Sequence, residues 1–353
     1  MTDLLSLTAE LCAIPSVSGT ERALADHVER WLREHAPELR IERIRDNVVA
    51  RTDSRASTRI VLGGHLDTVP GGGNDAPRRD GETLHGLGTA DMKGGLAVLL
   101  TLAARASARR PERDVTFVFY EGEEVADQHN GLRHLFEHCP DLVHGDAAVL
   151  LEPTGGWVEA GCQGTIHVRA AFFGRRAHSA RPWMGVNAIH RAAPLLERLA
   201  RYEAHTVDVD GLAYREALQV VRVEGGIANN VVPDRCEVVV NRRYAPARSL
   251  DDAVAEVAAL CEAADDVTVL NASPAAPPNL HDPLIAQLVA LADGRVRPKL
   301  GWTDVARFAA AGIPACNLGP GDPELAHTPD ERVGAAELAA CDAVLRAFVG
   351  LPT

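Results

Sequence analysis

Apolar positions recur along this chain with two periods, and the arrangement of those periods changes twice. Residues 3–13 and 19–35 carry helical spacing, separated by Ile14-Pro15-Ser16. Residues 46–51 and 59–64 read as strands, and the second runs straight into His65-Leu66-Asp67. A loop rich in Gly and Pro follows from Pro70 to Gly81. From Gly94 to about Ala106 the chain is Ala- and Leu-rich on every side, which predicts a buried helix. Residues 114–120, with their β-branched and aromatic side chains, predict a central strand, and 146–151 predicts another. Strands and helices in alternation imply an α/β layer around a mostly parallel sheet.

The pattern shifts after about Gly164. Strands are expected at 165–173, 217–224, 235–243 and 267–270, with helices at 186–202 and 250–263. The order βα-ββα-β is that of a compact α+β unit of the split βαβ kind. The α/β pattern then resumes with a helix at 281–292, a strand at 315–318 and a helix at 334–348. The expected organisation is a catalytic α/β domain formed by 1–163 and 274–353, interrupted by an inserted α+β domain at 164–273.

Composition narrows the function classes. A chain of 353 residues with 46% hydrophobic and 24% charged residues is an ordinary globular one with room for two domains. Its 36 basic residues stand against 49 acidic ones, a balance of −13 that repels nucleic acid and anionic membrane surfaces. Seven scattered cysteines without a CxxC pair argue for a reducing compartment rather than a disulfide framework. The N-terminal segment lacks the basic start of a signal peptide, and no apolar run approaches the ~20 residues that span a bilayer. The expectation is a soluble, cytoplasmic protein that binds neither membrane nor nucleic acid.

Five short segments carry the candidate chemistry: Gly64-His65-Leu66-Asp67, Asp91-Met92-Lys93-Gly94-Gly95, Glu121-Gly122-Glu123-Glu124, Leu151-Glu152-Pro153 and Ala326-His327-Thr328. Those around His65, Glu123-Glu124 and Glu152 each fall at or just after the C-terminal end of a predicted strand, the edge where open α/β sheets bind ligands. Two imidazoles and several carboxylates suit zinc, and also cobalt or manganese. A metal pair needs one bridging carboxylate and terminal ligands on each side. Asp91 can bridge, His65 and Glu152 can complete one position, and Glu124 and His327 the other. Asp67, two residues after His65, can accept that imidazole's second N–H and fix its tautomer. Glu123 is then left over as a general base. Singly, each segment has a plainer reading: a hydrogen-bonded histidine, a solvated acidic turn, a helix cap at Asp91. Their joint occurrence in order carries the signal.

That ordered set resembles the M20 metallopeptidase family, which includes acetylornithine deacetylases, desuccinylases, aminoacylases and carboxypeptidases. The resemblance covers nearly the whole chain. Within the family, residues 174–190, 225–234 and 301–327 are similar to the succinyl-diaminopimelate desuccinylases of actinobacteria. The resemblance implies two zinc ions held by His65, Asp91, Glu124, Glu152 and His327, with Asp91 bridging and Glu123 as the base. It implies that the inserted domain is a lid through which two copies pair as a homodimer. His178 of that lid would reach the partner's site and help bind the oxyanion. Asn229, Asn230, Arg243 and Thr303 are implied as contacts to a small N-acyl amino-acid substrate. Read from the residues alone, Arg243 equally suits a surface ion pair, Asn229-Asn230 a plain turn, and the arginines 175, 176 and 181 around His178 a solvated face.

The implied reaction is hydrolysis of the N-succinyl amide of N-succinyl-LL-2,6-diaminopimelate. The competing expectations are another N-acyl-amino-acid hydrolase, such as an acetylornithine deacetylase, and a metal-binding relative without catalysis. Two segments depart from the family pattern. Glu121-Gly122 replaces the residues many relatives carry before the base. Thr303 to Arg307 is longer than the compact Ser/Thr-Asp-Gly-Arg of other bacterial desuccinylases, which argues against Arg307 as a direct substrate contact.

Overall fold

The computed structural model describes residues 3–352. The chain forms two compact units. The first comprises Met1–Ala160, Asn279–Arg297 and Arg307–Thr353, the second Gly161–Pro278 and Pro298–Ala306.

The first unit is built on an eight-stranded mixed sheet. Its centre is four parallel strands side by side, in the order Asp114–Tyr120, Arg59–His65, Ala147–Leu150 and Ala315–Asn317. The strand Asp114–Tyr120 is buried at every position, as its β-branched and aromatic sequence predicts for a strand covered on both faces. A hairpin, Arg40–Ile44 and Asn47–Arg51, extends one side antiparallel. Val158–Ala160 extends the other, also antiparallel. Helices Leu4–Cys12, Arg22–His35, Gly94–Ala108 and Ala335–Val349 contribute to one continuous apolar core with the sheet.

Two glycines let backbone segments meet where the candidate chemistry lies. A Cβ on Gly95, in the first turn of its helix, would stand 2.6 Å from the Leu151 carbonyl oxygen. A Cβ on Gly319 would overlap the carbonyl oxygens of both Leu151 and Glu152. Larger side chains at either position would push away the turn that carries Glu152.

The second unit is a four-stranded antiparallel sheet ordered Ala217–Gly225, Arg235–Tyr244, Gly164–Phe173 and Asp266–Ser273. Helices Ala188–Ala200 and Leu250–Leu260 share its apolar core. Asn187 caps the first through the amides of Ile189 and His190, and Ser249 caps the second through Asp252. The unit is wider than the insertion expected at 164–273. Cys162 and Ala276 exchange backbone hydrogen bonds, and Gln163 N donates to Lys299 O. The indole N–H of Trp302 donates to Pro274 O. The last two bonds fasten 298–306 to the segments that flank the antiparallel sheet, a link between distant segments that local periodicity does not carry.

All seven cysteines are free. Among the described residues no helix is long and apolar enough to cross a membrane.

Candidate metal centre

The central parallel strands end together. His65, the last residue of its strand, lies beside Tyr120, and Gly63 lies beside Leu150. The turns that follow Tyr120 and Leu150 therefore open at the same sheet edge as His65. They carry Glu123-Glu124 and Glu152. Asp91 enters from the segment just before the helix Gly94–Ala108, and its peptide bond to Met92 is cis. His327 enters from a turn in which it adopts φ 62°, a left-handed conformation uncommon outside glycine.

Six of the expected residues meet. His65, Asp91 and Glu152 form one group, Asp91, Glu124 and His327 a second, and His65, Glu123 and Glu124 a third. Within each group one ligand atom per residue lies within 4.8 Å of the others. Asp91 belongs to two groups and divides its oxygens between them. Its Oδ1 is 3.0 Å from His65 Nε2, and its Oδ2 is 3.3 Å from His327 Nε2. His327 Nε2 is also 2.7 Å from Glu124 Oε1.

The donor set fits a pair of divalent cations. Burial works against a charged His65, yet Asp67, Asp91 and Glu152 outweigh it and raise its pKa well above that of a free imidazole. Asp91 and Glu124 raise His327 to about 10, with burial opposing. For Asp91, burial opposes ionisation, but hydrogen bonds from His327 and His65 hold its carboxyl below the usual range. The carboxylates thus draw positive charge to this point, and the two imidazoles answer with protons. Imidazole and carboxylate donors at this spacing are those that hold zinc, cobalt or manganese.

Asp67 does more than the tautomer-fixing its position suggests. His65 Nδ1 lies 2.9 Å from the Asp67 carbonyl oxygen, whereas the carboxylate Oδ1 is 3.5 Å away. The main chain is thus the nearer acceptor for the imidazole. The carboxylate is also engaged by other groups: Oδ1 accepts the amide of Glu123 at 2.9 Å, and Oδ2 accepts the amide of Glu124 at 3.0 Å and the Ser18 hydroxyl at 2.7 Å. Burial opposes its ionisation, but His65 and these amides lower its pKa to about 2. Asp67 therefore holds the turn that presents Glu123 and Glu124.

The remaining expected residues lie on the second unit and outside the three groups. His178 pairs with Val231 in a two-residue ladder, is exposed, and accepts the Ala180 amide on Nδ1 at 3.0 Å. Ser179 N donates to Asn230 O at 2.9 Å, so His178 and the Asn229-Asn230 turn adjoin. Arg243 lies on the strand Arg235–Tyr244. Its half-buried guanidinium has no hydrogen bond or ion pair among the described residues, and burial lowers its pKa. Thr303 is buried, and its carbonyl accepts the Cys162 thiol at 3.7 Å. Arg307 belongs to the first unit, where it pairs with Asp127 at 2.5 Å and anchors the turn that follows Glu124.

Residues 61–350 match the family model of peptidase family M20/M25/M40. The chain belongs to that family. It is 48% identical over 349 residues to a Mycobacterium tuberculosis member provisionally named succinyl-diaminopimelate desuccinylase DapE, covering 99% of this chain and 98% of that one. It is 42% identical over 354 residues to the Corynebacterium glutamicum succinyl-diaminopimelate desuccinylase, covering 98% and 96%. Among solved structures, a Bacillus subtilis protein described as a dinuclear metal-binding peptidase of the M20 family shares the fold. Its TM-score is 0.72 at 16% identity, over 98% of this chain and 96% of that chain.

Within this M20 member, sequence reasoning passed over three residues around the cluster. Ser18 supports Asp67 as described. Glu21 is buried, and its Oε1 accepts the amides of Gly19 at 2.9 Å and Gly122 at 3.2 Å, bracing the turn just before the base. Glu331 is buried, and its Oε1 accepts the amides of Ala90 and Asp91, each at 3.0 Å. Glu331 follows His327 by four residues, so a search for further carboxylates near the ligand segments could have found it.

Proposed function

We propose that this chain is a dinuclear zinc amidohydrolase that cleaves N-succinyl-LL-2,6-diaminopimelate to succinate and LL-2,6-diaminopimelate. The observation that carries the chemistry is the meeting of Glu123 with five metal-ligand side chains at one sheet edge. The choice of substrate is supported by the full-length likeness to named desuccinylases at 48% and 42% identity.

His65, Asp91 and Glu152 would hold one zinc, and Asp91, Glu124 and His327 the other; cobalt or manganese would substitute. When bound, the pair acidifies water towards neutral pH and polarises the scissile carbonyl. Glu123 takes the proton of the attacking water and returns it to the amide nitrogen as that bond breaks. Asp67 keeps Glu123 in place through the amide at 2.9 Å. His65, with Nδ1 engaged by the Asp67 carbonyl at 2.9 Å, turns Nε2 toward Asp91 and would offer it as the ligand atom.

The second unit would serve as the lid and as the surface of a homodimer. Its His178 would stabilise the oxyanion in the partner's site. Arg243, half-buried and without a partner among the described residues, would take a substrate carboxylate, with Asn229, Asn230 and Thr303 supplying polar contacts. The working compartment of such an enzyme would be the cytoplasm.

The test is turnover of metal-free and zinc-reconstituted protein on succinyl-diaminopimelate and on acetylornithine. Zinc-dependent release of succinate with little activity on acetylornithine is expected. Preference for acetylornithine would reassign the substrate, and absence of metal-dependent hydrolysis on both would remove the enzymatic reading.

A further inference from the structure

We infer that Glu331 is the positioning residue that sets Asp91 between the two halves of the metal centre. The inference rests on the metal-centre reading above. Asp91 can face two ligand groups only if its backbone is fixed, because each of its oxygens already has an imidazole to meet, at 3.0 Å and 3.3 Å. Most of that fixing comes from one buried side chain on a distant segment.

Glu331 is 1% exposed. Its Oε1 accepts the amides of both Ala90 and Asp91 at 3.0 Å, and the backbone of Gly88 bonds to the same carboxyl group. Its carbonyl accepts the Gly86 amide at 3.0 Å, and its own amide donates to Thr328 O at 3.2 Å. One residue therefore gathers the amides of 86, 88, 90 and 91 and joins them to the turn that carries His327. Gly86 and Gly88 adopt φ 144° and 78°, and the single π-type turn that follows, Thr89–Lys93, carries non-helical angles at Asp91 and Met92, so the stretch is irregular. It lacks a repeating backbone ladder of its own, and the Glu331 carboxylate supplies the acceptors instead.

A side-chain oxygen here gives these buried amides the acceptor they would otherwise lack, and burial, which works against ionisation of the carboxyl, is only partly opposed by them. Because its oxygens are occupied by amides, Glu331 is not itself offered as a ligand. It acts through Asp91. Groups that orient metal ligands in this way typically govern metal affinity or activity by about 10- to 100-fold.

The experiment titrates metal-free wild type, Glu331→Ala, Glu331→Gln and Glu331→Asp with zinc in competition with a chromophoric chelator. It also measures kcat and KM at saturating zinc. Glu331→Ala is expected to bind zinc about 10- to 100-fold more weakly and to lose kcat with KM unchanged. Glu331→Gln keeps an oxygen acceptor at the same reach and is expected to recover most of both losses. Glu331→Asp, one methylene short, is expected to recover little. Zinc affinity in Glu331→Ala equal to wild type would overturn the inference, and so would equal losses in Gln and Ala. If the Ala variant does not fold, the contrast between Gln and Asp decides in the same way. Failure of the wild type to take up two zinc ions would instead sink the metal-centre reading, and it is seen before any variant is compared.

Discussion

Asp91 divides its carboxylate between two histidines: Oδ1 is 3.0 Å from His65 Nε2, and Oδ2 is 3.3 Å from His327 Nε2. A shared ligand makes the two metal positions interdependent. Asp91→Asn keeps the shape but offers one oxygen and one NH2 group, so only one side can retain an acceptor. Zinc content measured after dialysis should fall from two per chain to one or none. Hydrolysis should drop by about 1,000-fold or more, since a metal pair acting on both attacking and leaving atoms is lost. Two tightly held zinc ions in Asp91→Asn would contradict the bridging role.

Glu123 and Glu124 are neighbours with different expected phenotypes. Glu124 Oε1 lies 2.7 Å from His327 Nε2, whereas Glu123 is grouped with His65 and Glu124 and not with His327. Glu123→Gln should keep both metals and lose about 100- to 10,000-fold in kcat, the usual worth of a general base. Glu124→Gln should lose metal as well as rate. Measuring zinc stoichiometry beside kcat separates the two, and a near-normal rate in Glu123→Gln would remove it from the mechanism.

Proton release on metal binding follows from the histidines. In the metal-free protein Asp91 and Glu124 raise His327 to about 10, so it is protonated at pH 7. A ligand imidazole must be neutral, so each zinc bound on this side displaces a proton. Zinc affinity should therefore rise with pH up to about 10, and calorimetry in buffers of different ionisation enthalpy should show the released proton. The stability of the metal-free protein has the opposite sign. Its folded His327 pKa lies above the unfolded value of ~6.5, so this contribution is complete below pH ~6.5 and lost as pH rises towards 10. The metal-free melting temperature should decline across that window, while the zinc-loaded protein should not share this decline. Zinc affinity independent of pH between 6.5 and 9 would refute the assignment.

The parts legible in the sequence are those where local pattern and structure agree. The central strands announce themselves through β-branched and aromatic runs, and the helix at Gly94–Ala108 through its uniform apolar character. The turns bearing His65, Glu123-Glu124 and Glu152 could be placed because the chemistry-bearing residues follow those strands directly. Of the hairpin Arg40–Ile44 with Asn47–Arg51, the second strand is expected at 46–51 but the first is not, because the turn residue Arg45 takes φ 58° without a glycine to signal it. The hairpin Thr206–Val209 with Leu212–Arg215 did carry a signal, Asp210-Gly211, with φ of 54° and 81°, but its strands are only four residues each. The roles of Glu331 and Glu21, as distinct from their positions, are not legible for a different reason. Their partners are backbone amides of remote segments, and no side-chain pattern encodes such a pairing.

The second unit contains a buried ion pair whose removal should be felt as instability rather than as lost chemistry. Arg242 and Glu216 are 1% and 2% exposed, with Nη2 and Oε2 2.6 Å apart. The other Glu216 oxygen accepts the Ala245 amide at 2.8 Å, and Arg242 also hydrogen-bonds the Tyr202 hydroxyl. Truncating one partner of a buried pair typically costs about 3–5 kcal/mol, and for Glu216→Ala the more distant Glu256 Oε2, 3.4 Å from Arg242 Nη2, offsets part of that cost. Glu216→Ala and Arg242→Ala should each lower unfolding stability by that order in urea titration. Replacing both with apolar residues of similar volume, Glu216→Leu with Arg242→Met, should recover most of the loss. The pair's attraction mainly offsets the cost of taking both charges out of water, so removing both together removes both terms. If the double variant is no more stable than either single one, the pair contributes through hydrogen bonds to Ala245 and Tyr202 that an apolar core cannot replace.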